Sequence, residues 1–281
     1  MTTAPASLDV VIVAYNARND LDACLRSLHE APPARPHTIV VVDNASQDGA
    51  PDLVASRWPG VRLLRQSVNL GFARANNVGI RATGSDLVLL LNSDTLVPRG
   101  ALDALVAALE ATPAAAVAGP RLVDAAGRPE LSFGRAFSPL NEARQKLIVS
   151  LDARGASLAR RYVDRVTHRP GFPDWVSGAC LLVWRCDAER AGLLDERYFM
   201  YAEDVDFCAA VRALGRKVLF TPAAEVVHLR GRSRASAPTA TAAAYRRSQV
   251  AYYEKHRPSW SPWLRRYLAW RGQWPPPPDP R

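Results

Sequence analysis

The sequence predicts an α/β fold: a mostly parallel sheet with helices on both faces. Two observations carry this. Short, continuous apolar runs at 8–14, 38–42, 61–65, 86–91 and 115–119 read as strands buried on both faces. Between them lie segments of helical period at 20–30, 50–57, 73–82 and 101–111, the first with Leu21, Leu25 and Leu28 on one face. Strand and helix in alternation, joined by short links, give parallel strands with the crossing helices packed over the sheet.

The second half is less regular. Residues 121–135 are expected to form a hairpin turning at Ala126-Gly127, and 140–166 a basic helix. A single strand is expected at 175–184, a helix at 204–214, strands at 217–221 and 225–229, and a helix at 239–256. Three regions follow: 1–120, a ligand-binding half; 121–235, a second half of the same domain; and 236–281, a helical extension rich in Trp, Arg and Pro. That extension ends in the run Pro275–Pro278, which cannot form a packed helix.

Composition narrows the class. The chain has 281 residues, 48% of them hydrophobic, which is enough for a substantial core and argues against general disorder. The net charge is +9, carried almost wholly by arginine, since only Lys146, Lys217 and Lys255 are lysines. The arginine richness reads as base composition, and also as a surface that attracts phosphates or anionic head groups. No nucleic-acid partner is expected. Cys24, Cys180, Cys186 and Cys208 form no CxxC pair and no zinc spacing, which points to a reducing compartment. The first seven residues lack the basic and apolar regions of a signal peptide. No apolar run approaches the roughly 20 residues that a membrane span needs.

The chemistry collects where strands end, because open α/β sheets bind ligands outside the carboxyl ends of their strands. The first strand ends in Ala14-Tyr15-Asn16. The second ends in Asp43-Asn44, with Ser46 and Asp48 beyond; those residue types suit a nucleoside contact and equally a turn with a helix cap. In "NLGFARANN", Gly71 opens a helix whose free N–H groups suit a phosphate, flanked by Phe72, Arg74 and Asn76. The GxGxxG fingerprint of dinucleotide enzymes is absent. The apolar run "LVLLL" stops abruptly at Asn92-Ser93-Asp94, a position where a carboxylate can hold a hard divalent cation against a diphosphate.

These four segments, in this order, resemble the nucleotide-binding half of glycosyltransferase family 2, with its GT-A fold. Asn92-Ser93-Asp94 stands where the family has its DxD metal motif, with Asn92 in place of the first acid. The resemblance extends over roughly residues 8–232. It implies that Asp204, with Glu203 beside it in "FMYAEDVDF", is the general base. It assigns Trp175 and Gly178 to the acceptor or donor-sugar pocket. It makes His228, 24 residues after Asp204, a metal ligand beside Asp94 that compensates for Asn92. Arg230 and Arg232 would meet the donor diphosphate.

The resemblance therefore implies an inverting, metal-dependent glycosyltransferase with Mg2+ or Mn2+ as cofactor. The donor is a nucleotide-diphosphate sugar. The acceptor is a cell-surface polysaccharide, glycolipid or other glycan, including lipid-linked ones. Among the family, the strings "NLGFARANN" and "LLLNSDT" are most similar to bacterial rhamnosyltransferases, which implies dTDP-rhamnose. The expected location is the cytoplasm, at the inner face of the membrane; the Trp- and Arg-rich tail either touches that surface or packs on the domain's own. Two other classes fit less well. A nucleotidyltransferase needs a Gly-rich, basic loop after its first strand, and "AYNARND" has none. A non-catalytic sugar-binding protein has no use for Asp94 and Asp204 together.

Overall fold

The computed structural model describes residues 5–229 and 238–274. The proposed diphosphate contacts Arg230 and Arg232, and the proline run at 275–278, lie outside the described residues.

The first half alternates as expected: β1 (Leu8–Ala14), α1 (Arg18–Glu30), β2 (His37–Asp43), α2 (Ala50–Arg57), β3 (Arg62–Arg65), α3 (Phe72–Arg81) and β4 (Leu87–Asn92). Then come β5 (Thr95–Leu96), α4 (Ala101–Glu110) and β6 (Ala115–Val123). The second half holds β7 (Phe133–Gly134), α5 (Pro139–Ala153), α6 (Ser157–Thr167), β8 (Trp175–Val176), β9 (Cys180–Trp184) and α7 (Arg185–Arg190). It continues with α8 (Glu203–Ala213), β10 (Lys217–His228), α9 (Pro238–His256) and α10 (Ser261–Trp270).

Eight strands form one sheet in the order β3-β2-β1-β4-β9-β6-β10-β5. The first four run parallel, with Ala14 of β1 opposite Asp43 of β2 and Val13 opposite Asn92 of β4. The ends of β1, β2 and β4 thus share one edge, as the strand-end reading requires. The sheet is mixed, because β9 runs antiparallel to both β4 and β6.

Two apolar layers cover the sheet. Leu8, Val10 and Ile12 of β1 face Leu21, Leu25 and Leu28 of α1 and the leucines of α4. Val11, Val40 and Val42 face the other way, toward Ile80 of α3, Phe207 and Val211 of α8, and Tyr252 and Tyr253 of α9. Val10, Val11 and Ile12 are all fully buried, each contributing about 1.5–3 kcal/mol. Asp9 is buried on β1 but ion-paired with Arg185 at 2.8 Å, which satisfies its charge.

Four expectations need correction. The single strand at 175–184 is two strands: β8 pairs with β7, and β9 joins the main sheet after a break at Ser177-Gly178-Ala179. The two strands near 217–229 are one, β10, whose register shifts between Thr221 and Glu225, where Pro222 cannot donate to a ladder. The basic helix at 140–166 is an α5–α6 pair, broken where Gly155 takes a φ of +80°. The hairpin at 121–135 keeps its turn, but its arms meet in one bridge, Val123 to Pro129.

Candidate active site

The first parts of the site lie at strand ends. The Ala14 carbonyl accepts from Asn44 N at 2.8 Å, locking the first two strand ends together. Asn16 sits at φ +49° and Tyr15 is half exposed. Asn16 N donates to Ser46 Oγ at 3.0 Å, and Asn16 Oδ1 accepts from Gln47 N at 2.8 Å. Asp48 caps two helices at once, accepting from Arg18 N and Ala50 N. Ser46 and Asp48 are therefore turn and cap residues.

Asp43 is different. It is 3% exposed, and its Oδ1 is buried with no hydrogen-bond partner among the described residues. A buried acceptor of this kind costs stability unless a ligand completes it. Its neighbour Asn44 reaches the third segment: Oδ1 accepts from Leu70 N at 2.8 Å and Nδ2 donates to Asn69 Oδ1 at 2.7 Å. Asn44 thus fixes the loop that leads into α3.

Gly71 follows with φ +79°. A Cβ there would lie 2.4 Å from the Phe199 carbonyl oxygen, which accepts from Phe72 N at 2.6 Å. The start of α3 is thereby pressed against the loop that precedes the acidic cluster. Asn76 is buried and donates to the Phe72 carbonyl. Arg74 faces Glu196 at 3.6 Å, which also holds Arg81 from the far end of α3.

Asn92-Ser93-Asp94 ends β4 in a tight turn into β5. Pairing of β5 with β10 places Thr95 opposite His228, and Leu229 N donates to the Asp94 carbonyl at 2.8 Å. This register brings Asp94 Oδ1 to 3.4 Å from His228 Nε2, with Asn92 Nδ2 at 3.5 Å from the same nitrogen. The other ring nitrogen, Nδ1, faces Glu130 Oε2 at 3.4 Å. Burial opposes charge on the imidazole, but the hydrogen bonds and charges of Asp94 and Glu130 outweigh it and hold the pKa up to about 9.

Asp94 and His228 are the residues that would hold a cation, once the imidazole gives up its proton. Asp94 and His228 offer an oxygen and a nitrogen on the same side, and a second carboxylate orients the imidazole from behind, the usual arrangement around a metal-binding histidine. Among the described residues no group of three or more His, Cys, Asp or Glu is set to hold an ion by itself. A bound diphosphate would have to complete the shell.

The acidic cluster opens α8, after Tyr201 and Ala202 at φ +72° and +65°. Two successive non-glycine residues in that region are strained, and such strain gathers at functional sites. Asp204 Oδ2 accepts from Gly178 N at 3.0 Å and Oδ1 from Val205 N at 2.8 Å. Burial outweighs both bonds and raises the Asp204 pKa above the ordinary range. Glu203 is more deeply buried, its Oε2 without a partner among the described residues, and burial followed by the Asp204 charge raises its pKa further. Of the two carboxylates, Asp204 is the less deeply buried.

Trp175 sits within the core. It is 8% exposed, its Nε1 donates to the Arg135 carbonyl, and its ring meets Phe137 edge-on. It anchors the strand before Gly178 from within the core. Phe72 lies within 3.5 Å of where a Gly178 Cβ would sit, so Gly71-Phe72, Gly178 and Asp204 converge. Sequence reasoning missed Glu130 and Tyr201. The hairpin turn that returns Glu130 to Leu122 was visible, but the strand pairing that places it under His228 was not.

The sheet order, with Asp43 ending and Asp94 following the strands that flank β1, is that of a GT-A fold. Solved structures agree on the fold. The chain is similar to a mannosyltransferase from Pyrobaculum calidifontis in complex with GDP-Man and Mn2+, with TM-score 0.61, 19% identity, and 94% of this chain and 69% of that one covered. It is also similar to GalNAc-T7 with UDP, GalNAc and Mn2+, with TM-score 0.59, 18% identity, and 80% and 44% covered.

Residues 9–166 match the family profile for glycosyl transferase family 2, and the chain belongs to that family. Among curated relatives, the N-acetylglucosaminyl-diphospho-decaprenol L-rhamnosyltransferase of Mycobacterium tuberculosis is 32% identical over 275 residues, covering 94% of this chain and 88% of that protein. The rhamnosyltransferase WbbL of Escherichia coli K12 is 25% identical over 165 residues, covering 56% and 60%. The protein is a glycosyltransferase of the bacterial rhamnosyltransferase-like kind.

Proposed function

We propose that the protein transfers rhamnose from dTDP-rhamnose, with inversion, to a lipid-linked glycan acceptor such as a polyprenyl-diphospho-N-acetylglucosamine. The observation that carries this reading is similarity along nearly the whole chain to the mycobacterial rhamnosyltransferase, acceptor half included. Residues 1–120 take the donor, 121–235 supply the acceptor site and base, and 236–281 form the extension.

In this reading Asp43 binds the donor nucleoside through its unpartnered Oδ1, and the Ala14-Tyr15-Asn16 turn lines the same pocket. Asn44 holds the Gly71-Phe72 loop in place for the donor. Asp94 and His228 would hold a divalent cation, Mg2+ or Mn2+, which when bound neutralises charge on the departing diphosphate. Asn92 and Ser93 shape the turn that presents Asp94. Asp204 removes the proton from the acceptor hydroxyl as that oxygen bonds to the anomeric carbon. The bond from that carbon to the diphosphate breaks in the same step, and its electron pair leaves with the nucleotide. The Gly178 and Val205 N–H groups orient the carboxylate.

The test is a donor panel. Purified protein with Mn2+ is given dTDP-rhamnose, UDP-N-acetylglucosamine or GDP-mannose and a synthetic lipid-linked N-acetylglucosamine. Product is followed by mass, and anomeric configuration by NMR. Transfer from dTDP-rhamnose with inverted configuration supports the proposal. Transfer only from another donor, or with retention, overturns it.

A further inference from the structure

Helix α10 packs on the domain by one side only. Leu268 is fully buried and Ser261 nearly so, while Leu264 packs against the second apolar layer. Spacings of three and four residues put these positions on one face. A second apolar stripe, Trp260, Trp263, Tyr267 and Trp270, follows the same three-and-four spacing on a different side, and is 50%, 65%, 50% and 79% exposed. At 100° per residue, Arg266 and Arg271 fall on either flank of this stripe. Arg266 lies over the Trp263 ring at 5.9 Å. Between 257 and 274 there are four arginines and no acidic residue.

Water is a poor solvent for three exposed indoles and a phenol in a row. An aromatic stripe edged by guanidinium groups matches the interface of an anionic bilayer, where amphipathic rings sit at head-group level and arginine meets phosphate. No helix among the described residues is long and apolar enough to cross a membrane, so such a contact would lie in the plane of the surface.

The stripe is wired to the catalytic edge. Gln273, just past α10, accepts from Arg246 of α9 at 2.7 Å. Beside Arg246, Tyr245 meets Tyr201 edge-on at 5.9 Å. Ser248 donates to the Met200 carbonyl at 2.7 Å. Tyr201 and Met200 belong to the strained loop that leads directly into Glu203 and Asp204.

We propose that the stripe of Trp260, just before α10, and Trp263, Tyr267 and Trp270 on it docks the enzyme on an anionic membrane surface, and that α9 holds the acceptor side of the active site at that surface. This rests on the lipid-linked acceptor of the proposed function for its purpose, but not for its test.

The full chain is sedimented with vesicles of phosphatidylcholine alone and of phosphatidylcholine with phosphatidylglycerol, in the absence of any acceptor. The parent protein partitions onto the anionic vesicles, less onto the neutral ones, and high salt weakens the binding. The variant Trp263→Ser/Tyr267→Ser/Trp270→Ser loses on the order of tenfold or more in partition. Arg266→Gln/Arg271→Gln loses the preference for anionic vesicles. Both variants keep the parent circular dichroism and the parent transfer rate on a short, water-soluble acceptor, whereas transfer to a vesicle-borne acceptor falls. Equal partition of parent and triple variant overturns the proposal. So does light scattering that shows a dimer in the parent and a monomer in the triple variant without vesicle binding, which would assign the stripe to a second copy of the chain. Failure on every donor with intact vesicle binding would instead remove the proposed function and leave the docking surface standing.

Discussion

The backbone N–H of Gly178 donates to Oδ2 of Asp204 at 3.0 Å, tying the loop between β8 and β9 to the first turn of α8. With the Val205 N–H on the other oxygen, the carboxylate is held at both ends, yet burial still raises its pKa. A base must be deprotonated to act. The rate therefore falls as pH falls through a pKa that lies above the ordinary aspartate range. A profile of kcat/KM against pH should show its acidic limb above about 4. A rate that stays flat down to that value would remove Asp204 from the chemistry.

Glu203 makes a prediction about stability. Its folded pKa is raised well above that of the unfolded chain, by burial first and then by the Asp204 charge. Below the unfolded pKa both states carry the proton and nothing is lost. As pH rises through the folded pKa, the folded state is penalised. Glu203→Gln should match the parent in thermal unfolding near pH 4 and exceed it by on the order of 1 kcal/mol above neutrality. A constant difference across the range would contradict the linkage.

The Asp94–His228–Glu130 row predicts graded effects on cation use. Asp94→Ala removes a proposed ligand and should weaken Mn2+-dependent binding of dTDP. Glu130→Gln keeps the shape but loosens the imidazole, and should lower apparent Mn2+ affinity by about 10–100-fold. Titration calorimetry with and without Mn2+ reads both. Cation-independent losses of equal size would assign the row to structure alone.

Gly71 carries a steric prediction. It combines φ +79° with a Cβ position 2.4 Å from the Phe199 carbonyl oxygen. Backbone atoms cannot yield as a flexible side-chain tip does. Gly71→Ala should cost at least about 2 kcal/mol in urea unfolding. A midpoint equal to the parent's would mean the loop before α8 adapts freely.

These features differ in how far the sequence discloses them. Asp43 and Asp94 are legible because apolar runs stop at them, and parallel strands in register bring such ends to one edge. Glu203 and Asp204 are legible as acids at a helix start. The direction of β9 is not: the run through Trp175–Trp184 has no local signal for antiparallel pairing, or for the break at Ser177-Gly178-Ala179. The two-residue strand β5 is too short for a period, yet its pairing with β10 brings Asp94 to His228. Glu130 is placed by the same long-range pairing. Trp175 is assigned to the acceptor or donor-sugar pocket by the resemblance. Its burial depends on Phe137 and Gly134, contacts that no local pattern encodes.

The most direct test of the account is Asp204→Asn, assayed for donor binding and for transfer on the same preparation. The substitution keeps the shape and removes the basic oxygen. The account predicts dTDP affinity within a few-fold of the parent and transfer slower by about 10²–10⁴-fold. Transfer near the parent rate, or loss of donor binding in step with the loss of transfer, would contradict the claim that Asp204 is the base and that the strand-end residues hold the donor without it.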